Sequence, residues 1–374
     1  MTPALNHRSG RTVQVVPLLR LHHLGHRRFD YLVPPELDGV VAPGAIVYAP
    51  FGRRTVRAVV VADGPGDQAH RGNLRPLEAV APEQIAPDLL ELAAALSRRY
   101  LASSESCLRL VVPPDPGRPK PDGVQRQGER WVEMAAGVRE GVVAGDEVRL
   151  TAKQRALCAA VPPGGGPVSG LCRQVGVSRS VVNALVGRGL LVLRDAPAHK
   201  EHAAEECGLG QEEDLVLWPE QEDAVAGLVQ AYDEDGFQRR LLWGVTGSGK
   251  TEVYLRLLAH ALERHEGAIL LVPEIALTPQ MIGRVKRRFG ERVAEWHSGL
   301  SKAERKREYA RVAAGTATIV VGARSAVFAP VRDLRLIVVD EAHESSYKQE
   351  EEPRYNAVTV AALRLQPQGG LLLE

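Results

Sequence analysis

The feature that most constrains the fold is the glycine-rich segment Gly244-Val-Thr-Gly-Ser-Gly-Lys-Thr251, here called the phosphate loop, which matches G-x-x-x-x-G-K-[ST]. In this pattern backbone N–H groups surround phosphate oxygens, and a lysine reaches the β- and γ-phosphates of a nucleotide. The flanks agree, because the apolar run Arg240–Trp243 predicts a short buried strand and Lys250 to about Arg264 predicts a helix. The predicted nucleotide-binding residues of the loop are Gly244, Thr246, Gly247, Ser248, Gly249, Lys250 and Thr251.

A second motif, Asp-Glu-Ala-His at positions 340–343, ends an apolar run that is typical of a buried parallel strand. Carboxylates after such a strand lie at the edge where open α/β sheets bind their ligands. We therefore predict that Asp340 binds the Mg²⁺ that accompanies the phosphates, with the Thr251 hydroxyl on the opposite side. Glu341 is the predicted base for the attacking water. Together with Lys250, these two carboxylates form the predicted catalytic set.

Composition narrows the class of protein. The chain has 374 residues, of which 44% are hydrophobic, enough for the cores of two or three domains. It contains no run of about 18 apolar residues that would span a membrane. Met1–Gly10 shows no signal-peptide pattern, so we expect a cytoplasmic protein without a membrane anchor. The four cysteines form no C-x-x-C pair, which argues against a zinc site or disulfides.

Charge is unevenly distributed along the chain. Residues 201–238 contain no lysine or arginine, whereas residues 284–311 are rich in both. Such a basic stretch forms either a solvated helix face or a surface for nucleic-acid phosphates, and the sequence leaves both readings open. The basic residues in question are Lys286, Arg287, Arg288, Lys302, Arg305, Lys306 and Arg307.

The pattern of apolar, polar, proline and glycine residues divides the chain into four segments. Residues 1–113 alternate apolar and polar positions between Pro and Gly turns, which predicts a small β-rich domain with one helix near Pro87–Tyr100. Residues 114–145 read as a linker that is rich in proline and glycine. Residues 146–196 predict a winged helix, and residues 197–374 alternate strands and helices, which predicts a doubly wound parallel sheet.

The winged-helix prediction depends on three helical patterns and a strand. The helices are expected at Thr151–Val161, around Leu171, and after Ser178 as the N-cap, with Leu190–Leu193 as the wing. Such a module either reads DNA or packs against protein, and the sequence does not decide between them. The basic residues that would favour DNA contact are Arg173, Arg179 and Arg188.

The α/β region carries further motifs. Gln221 precedes the phosphate loop and is predicted to hydrogen-bond adenine, which would favour ATP. Pro273–Gln280 and Gly322–Ser325 follow predicted strands, and such loops suit a passing phosphate backbone. The predicted strands lie near Leu241 and at residues 268–272, 293–296, 318–321 and 336–339.

The order of these motifs resembles the RecA-like first lobe of a superfamily-2 helicase. In detail the chain is similar to the primosomal protein N′ (PriA) family of replication-restart DNA helicases. The segments that carry the resemblance are residues 244–254, 272–280, 297–301 and 340–349. Residues 29–34 and 50–52 are similar to that family's domain for the 3′ end of a nascent leading strand. Departures from the family pattern occur at Ala342 and within Glu352–Thr359.

The resemblance implies a function and a set of ligands. It implies Mg²⁺-dependent ATP hydrolysis that drives 3′-to-5′ unwinding at abandoned forks, and partners that include other primosome proteins and single-stranded-DNA-binding protein. Phe29, Asp30 and Gly52 would line the pocket for the terminal nucleotide. The family's zinc module uses cysteine pairs that this chain does not contain. Because the sequence stops at Glu374, before the family's next motif, we expect the second helicase lobe to be missing and unwinding by this chain to be poor.

The resemblance also assigns DNA contacts after the second motif. An aromatic-rich segment there would link DNA contact to hydrolysis, with Tyr347 and Tyr355 stacking on bases and Lys348 and Arg354 near phosphates. Arg324 is a further predicted DNA contact. Two other readings remain open at this stage: a fork-binding scaffold that recruits partners without unwinding, and an RNA helicase with no preference for a DNA 3′-hydroxyl.

Overall fold

The computed structural model describes residues 11–19, 27–65, 74–114, 130–135, 150–162, 165–177, 179–195, 216–245 and 247–374. Two compact units are present. The first combines Met1–Pro116 with Asp214–Glu374, and the second is Gly117–Glu213. Among the described residues, no helix is long and apolar enough to cross a membrane.

The N-terminal part of the first unit is an antiparallel sheet followed by two helices. The strand order is β2-β1-β4-β3-β5. Alternating apolar residues such as Val13, Val15 and Val47 fill its core. The helices begin after an extended residue, and the Ser103 side chain caps the second by accepting from the Ser106 N–H. The elements are β1 (Thr12–Pro17), β2 (Phe29–Leu32), β3 (Ala45–Phe51), β4 (Arg54–Asp63), β5 (Ala79–Gln84), α1 (Pro87–Tyr100) and α2 (Ser104–Val111).

The described residues of the second unit form three helices and a three-stranded sheet of order β7-β6-β8. Thr151 and Gln154 form a capping box at the start of its first helix. Strand β6 falls inside the segment that the sequence predicts as a linker, and it pairs along its length with β8. Ser178, the predicted N-cap, lies outside the described residues, and the winged helix stays a prediction. The elements are β6 (Arg130–Met134), α3 (Ala152–Ala160), β7 (Gly166–Pro167), α4 (Val168–Val175), α5 (Arg179–Gly187) and β8 (Leu191–Asp195).

The C-terminal part of the first unit is a six-stranded sheet of order β11-β12-β10-β13-β14-β9, in which every pair is parallel. Buried aliphatic side chains fill both faces of the central strands, as parallel sheets require. The elements are α6 (Pro219–Asp233), β9 (Phe237–Arg240), α7 (Lys250–Glu263), β10 (Gly267–Leu271), α8 (Pro279–Phe289), β11 (Val293–Trp296), α9 (Lys302–Ala314), β12 (Ile319–Gly322), β13 (Leu334–Val339), α10 (Ala357–Leu365) and β14 (Gly370–Leu373). The predicted fold class, an α/β protein with a parallel sheet after a β-rich domain, is confirmed.

One predicted strand is misplaced. The apolar run Arg240–Trp243 is not a buried strand: β9 ends at Arg240, and Leu241 and Trp243 are 69% and 89% exposed. The physical reason is the position of β9 at the sheet's edge, where β14 is its one partner among the described residues. The Leu242 N–H still donates to the Glu374 carbonyl at 2.7 Å, just beyond β14, but no strand of the described chain covers the other side of this segment. Hydrophobicity alone therefore predicts the burial of Leu241 and Trp243 wrongly.

The two parts of the first unit share one hydrophobic core. Leu89 and Leu96 of α1 belong to the same buried cluster as Val360 and Leu365 of α10. Polar contacts cross the same boundary. The buried Arg364 guanidinium donates to the Val327 carbonyl at 2.6 Å and to the Asp88 carboxylate at 3.4 Å. The Asn356 N–H donates to the Tyr100 hydroxyl at 3.3 Å, and the Ser103 N–H donates to the Glu352 carboxylate at 3.0 Å.

Candidate nucleotide site and DNA-binding surfaces

The carboxyl ends of the parallel strands bring the sequence motifs to one edge of the sheet. The phosphate loop follows β9, Pro273–Gln280 follows β10, and Gly322–Ser325 spans the end of β12. The 340–343 motif follows β13, which lies two strands from β9. The predicted nucleotide-binding and catalytic residues therefore meet in space.

The phosphate loop is a tight turn into the N-terminus of α7. Gly249 is the N-cap and has φ +81°, a conformation that side-chain-bearing residues rarely adopt. A Cβ at Gly249 would lie 2.2 Å from Nε2 of Gln221, so a larger residue would displace the Gln221 amide from its present position. The loop presents a helix N-terminus to the cleft, as anion sites do. Thr246, a predicted contact, lies outside the described residues.

Lys250 lies between the two motifs. Its ammonium donates to the Gly244 carbonyl at 2.7 Å and is 3.7 Å from a carboxylate oxygen of Glu341. The lysine is thus placed to reach either the phosphate loop or the second motif. Around it lies a cleft of about 510 Å³ that contains nearly all of the predicted nucleotide-site residues that the structure describes. Its lining includes Gln221, Gly247, Ser248, Gly249, Lys250, Thr251, Asp340 and Glu341.

The predicted magnesium ligands converge on one tyrosine. The Tyr254 hydroxyl is 3.3 Å from Oγ1 of Thr251 and 3.5 Å from Oδ2 of Asp340. A hydroxyl and a carboxylate so close together supply the oxygen ligands that Mg²⁺ prefers, with phosphate oxygens and water completing the set. Among the described residues no group of three or more His, Cys, Asp or Glu could hold a metal alone. The geometry therefore fits an ion that is shared with phosphates.

Asp340 and Glu341 differ in electrostatic setting. Burial, together with the charge of neighbouring Glu341, raises the pKa of Asp340, and Lys250 partly offsets this. Glu341 has a left-handed backbone with φ +47°, which is uncommon for a residue with a long side chain. Strained residues of this kind cluster at functional sites. His343, 3.6 Å from the Glu341 carboxylate, is largely exposed.

Gln221 connects α6 to the phosphate loop. Its Oε1 accepts from the Trp218 N–H at 3.0 Å, and its Nε2 donates to the Ser248 carbonyl at 3.1 Å. The residue lines the nucleotide cleft where the sequence predicts it. In this conformation, however, both ends of its amide bind protein, so its first role is to position the loop. Adenine recognition by Gln221 stays a prediction.

The N-terminal sheet carries the predicted residues for a DNA 3′ end. Phe29 packs edge-on against Phe51, with ring centroids 5.2 Å apart. Gly52 follows Phe51 in the two-residue turn between β3 and β4, has φ +60°, and its carbonyl accepts from Arg75 at 2.9 Å. Asp30 follows Phe29 in β2, where it pairs with Gln14, and strand alternation places its side chain on the opposite face of the sheet from Phe29. The structure therefore brings Phe29 to the turn at Gly52, and a shared pocket with Asp30 stays a prediction.

Two predicted base-stacking residues are corrected. Tyr347 and Tyr355 are 1% and 2% exposed, so neither ring is available to a base in this conformation. The Tyr347 hydroxyl donates to the Asp340 carbonyl, and the Tyr355 ring packs edge-on against Phe328 at 5.0 Å. Both aromatic rings fill the shared core, and this explains why a tyrosine-rich segment does not become a stacking surface.

The other predicted DNA contacts in this region are cations. Arg324 is half-buried and donates to the carbonyls of Ser346 and Lys348 at 3.3 and 2.9 Å, which makes it a support for the segment. Lys348 donates to the Arg354 carbonyl at 2.6 Å, and its ammonium lies 5.8 Å from the Tyr100 ring centroid. Both Lys348 and Arg354 are exposed. Contact with phosphates stays a prediction for these residues.

Many of the basic residues between 284 and 311 are in ion pairs. Lys286 contacts Glu295, and Arg307 contacts Glu308 at 3.3 Å. Arg288 contacts Glu252 at 2.7 Å. Ion pairing supports the solvated-face reading for these side chains without excluding contact with nucleic acid by the rest of the helices.

Sequence reasoning missed the part that Tyr254 plays. The signal was available, because Tyr254 follows Lys250 by four residues and Thr251 by three, and such residues share one face of a helix. Its pKa is raised, first by burial and then by the charge of Asp340. It therefore stays a neutral hydroxyl between the two predicted metal ligands.

Comparison with known protein families agrees with this geometry. Residues 218–368 match the model of the DEAD/DEAH box helicase family, and residues 16–113 match the model of the 3′ DNA-binding domain of PriA. The chain therefore joins a 3′ DNA-binding domain to a DEAD/DEAH box helicase domain.

Curated relatives identify the family more closely. Replication restart protein PriA of Bacillus subtilis (strain 168) is 31% identical over 400 residues, which cover 90% of this chain and 50% of the relative. The PriA protein of Chlamydia trachomatis serovar D is 32% identical over 345 residues, which cover 90% of this chain and 45% of the relative. The chain belongs to the PriA family and spans about half the length of these relatives.

Among solved structures, the UvsW helicase from Bacteriophage T4 is 18% identical with a TM-score of 0.32. That match covers 65% of this chain and 82% of the phage chain, at a similarity too low to inform function.

Proposed function

We propose that the chain binds ATP with Mg²⁺ in the cleft beside the phosphate loop and forms the nucleotide-binding and DNA-end-binding part of a 3′-to-5′ replication-restart helicase. The observation that carries the proposal is the convergence of Lys250, Thr251, Asp340 and Glu341 on one cleft. The same compact unit contains the 3′ DNA-binding domain.

The chain's own groups suit each step of hydrolysis. N–H groups of the phosphate loop and of the first turn of α7 bind phosphate oxygens, while Lys250 turns from the Gly244 carbonyl toward the β- and γ-phosphates. Thr251 and Asp340 would hold Mg²⁺, which would supply positive charge to offset the charge that develops on the phosphates. Glu341 orients a water in line with the γ-phosphate and accepts its proton.

DNA-end recognition is proposed for the N-terminal sheet. The Phe29 and Phe51 pair offers an aromatic surface beside the exposed turn at Gly52, and base–aromatic stacking contributes about 1–3 kcal/mol per base. The Asp30 carboxylate is a suitable acceptor for a 3′-hydroxyl. Forked DNA with a 3′ end is therefore the proposed substrate, with primosome proteins and single-stranded-DNA-binding protein as partners.

A second candidate function is a fork-binding scaffold that does not unwind. It is favoured by the shared core, which joins the DNA-binding domain to the nucleotide-binding domain through buried contacts such as that of Arg364 with Asp88. Under this reading the 374-residue chain binds ATP and branched DNA and separates strands poorly.

Three measurements on the 374-residue chain test these proposals. Calorimetry should detect Mg²⁺·ATP binding that Lys250→Ala abolishes. Binding to forks that end in a 3′-hydroxyl or a 3′-phosphate should favour the hydroxyl, and Asp30→Asn should remove that preference. Equal affinity for both ends would contradict the proposed pocket and favour an RNA-helicase reading. Robust ATP-dependent strand separation would exclude the scaffold reading.

A further inference from the structure

Glu252, the residue after Thr251, is a buried carboxylate surrounded by arginines. Its side chain is 7% exposed, and it contacts Arg256 at 3.0 Å, Arg288 at 2.7 Å and Arg284 at 3.4 Å. Burial disfavours its charge, but the bonds from Arg288 and Arg256 outweigh burial and lower its pKa. One carboxylate among three guanidinium groups leaves a net positive charge beside the phosphate loop.

Only one of these arginines lines the nucleotide cleft. Arg284 is part of the cleft wall, together with Gln221, Lys250 and Asp340, whereas Arg256 and Arg288 are not. Its charge also acts on Tyr254, whose hydroxyl lies between Thr251 and Asp340. Arg284 is therefore at the phosphate and metal end of the cleft.

The position of Arg284 follows from how α8 packs. Ile282, Val285 and Phe289 face the core, so the positions four apart, 284 and 288, point together toward Glu252. A guanidinium carries five N–H donors in a planar fork, so one arginine can bind a carboxylate and a phosphate at once.

From this geometry we infer that Arg284 is a phosphate-binding residue of the nucleotide site, which Glu252 holds in place. This inference rests on the proposed nucleotide-binding function and adds to it a cation from α8, beside Lys250 from α7. Because α8 starts at Pro279, directly after the loop that ends in its N-cap Thr278, the contact would also join that loop to a bound nucleotide.

Calorimetry with two probes, Mg²⁺·ATP and inorganic tripolyphosphate, tests the inference. Arg284→Ala should weaken both by roughly 10- to 100-fold, the range for hydrogen bonds to charged groups. Arg284→Lys should restore part of the loss. Two variants are controls. Arg287→Ala removes an equal charge from an exposed position of α8, and Arg288→Ala removes another partner of Glu252. In each control the affinity for both probes should stay within about threefold of the wild type, a smaller change than the loss of a charged hydrogen bond causes.

The outcomes separate the two proposals. If a folded Arg284→Ala variant binds both probes as tightly as the wild type, the inference is wrong and the proposed ATP binding still stands. If Arg288→Ala loses as much affinity as Arg284→Ala, the inference is also wrong, because the whole cluster then has a structural role. Binding of tripolyphosphate that depends on Arg284, without binding of ATP, would support the inference and contradict the proposed nucleotide function. Failure of the wild-type chain to bind either probe would overturn both. Thermal unfolding midpoints check that the variants are folded.

Discussion

The Tyr347 hydroxyl donates a hydrogen bond to the main-chain carbonyl of Asp340 at 2.6 Å, and it is also 3.1 Å from the Leu271 carbonyl. Tyr347, which the sequence predicts to stack on DNA, therefore fixes the backbone of Asp340, the predicted metal ligand. Burial and the charge of Asp340 raise its pKa, so the hydroxyl stays a donor at every ordinary pH. The segment after the second motif is thus connected to the nucleotide site through this one side chain.

Tyr347→Phe should lower the free energy of unfolding by about 1–2 kcal/mol, because it removes the hydroxyl from the part-buried Asp340 carbonyl and the buried Leu271 carbonyl. Urea unfolding measures the loss. Tyr355→Phe is the matched control, since its ring packs against Phe328 and should contribute mainly through that contact. Equal losses in the two variants would show that the hydroxyl bond to Asp340 has no special weight.

Mg²⁺-dependent nucleotide binding should weaken on acidification at a higher pH than an ordinary aspartate predicts. The pKa of Asp340 is raised by burial and by Glu341, so its carboxylate is protonated earlier as pH falls and then no longer binds the ion. The free energy of unfolding changes with pH in the opposite direction. Because the folded pKa of Asp340 is raised, its protonated carboxyl adds to the free energy of unfolding at low pH, and this contribution is lost as pH rises through the folded pKa.

Asp340→Asn separates these effects. Mg²⁺·ATP affinity should fall at neutral pH, while the unfolding free energy at that pH should stay equal or rise. Titrations of nucleotide affinity and of thermal unfolding against pH measure both. If nucleotide affinity falls over the same acidic pH range in the wild-type and Asp340→Asn proteins, the group that titrates is not Asp340.

Glu341→Gly should stabilise the fold while it removes hydrolysis. A left-handed residue with a side chain stores strain of order 1 kcal/mol, which glycine relieves, although glycine also gains entropy when unfolded. Glu341→Gln keeps the strain and should lose hydrolysis without the gain in stability. Calorimetric unfolding of the two variants gives the comparison. A less stable glycine variant would show that the Glu341 side chain makes contacts worth more than its strain.

Arg364→Met should destabilise the first unit by about 1–3 kcal/mol, because it leaves the buried Val327 carbonyl without its donor. The Arg364 guanidinium is 1% exposed, and burial lowers its pKa to about 10. Asp88→Asn is the milder control, since Asp88 is part-exposed and Arg364 keeps its bond to the Val327 carbonyl. Urea unfolding ranks the two. A smaller loss for Arg364→Met would mean that apolar packing replaces the ion pair at this boundary.

Local patterns predict much of the nucleotide site. The phosphate loop, Lys250 and the 340–343 motif depend on the start of α7 and the end of β13, which the sequence places correctly because these features are set by neighbouring residues. Helix α1 is predicted with its observed bounds for the same reason. The strand before the phosphate loop is misplaced, since β9 ends at Arg240. Strand β14 and the exposure of Leu241 were not predictable, since both depend on which strands become neighbours in the finished sheet.

Long-range packing accounts for the remaining differences. Nothing local distinguishes a tyrosine that stacks on DNA from one that fills a core. The burial of Tyr347 follows from its position against Leu271 and Asp340, and that of Tyr355 from its packing on Phe328. The paired arginines at 284 and 288 show a helical spacing, but their shared partner Glu252 lies on another helix.

The shared core has a consequence for synthesis on the ribosome. Helices α1 and α2 have apolar partners in the N-terminal sheet, such as Val16, Ile46 and Val59, and further partners in residues between 269 and 372. The part of their buried faces that meets the second set stays uncovered while the intervening chain is made. At about 5–20 residues per second that interval is roughly 15–50 s. The sheet β1–β5 has a core cluster of its own and can form early. Residues 1–116 expressed alone should therefore protect their strand amides from hydrogen exchange more strongly than those of α1 and α2, which lack part of their apolar partners.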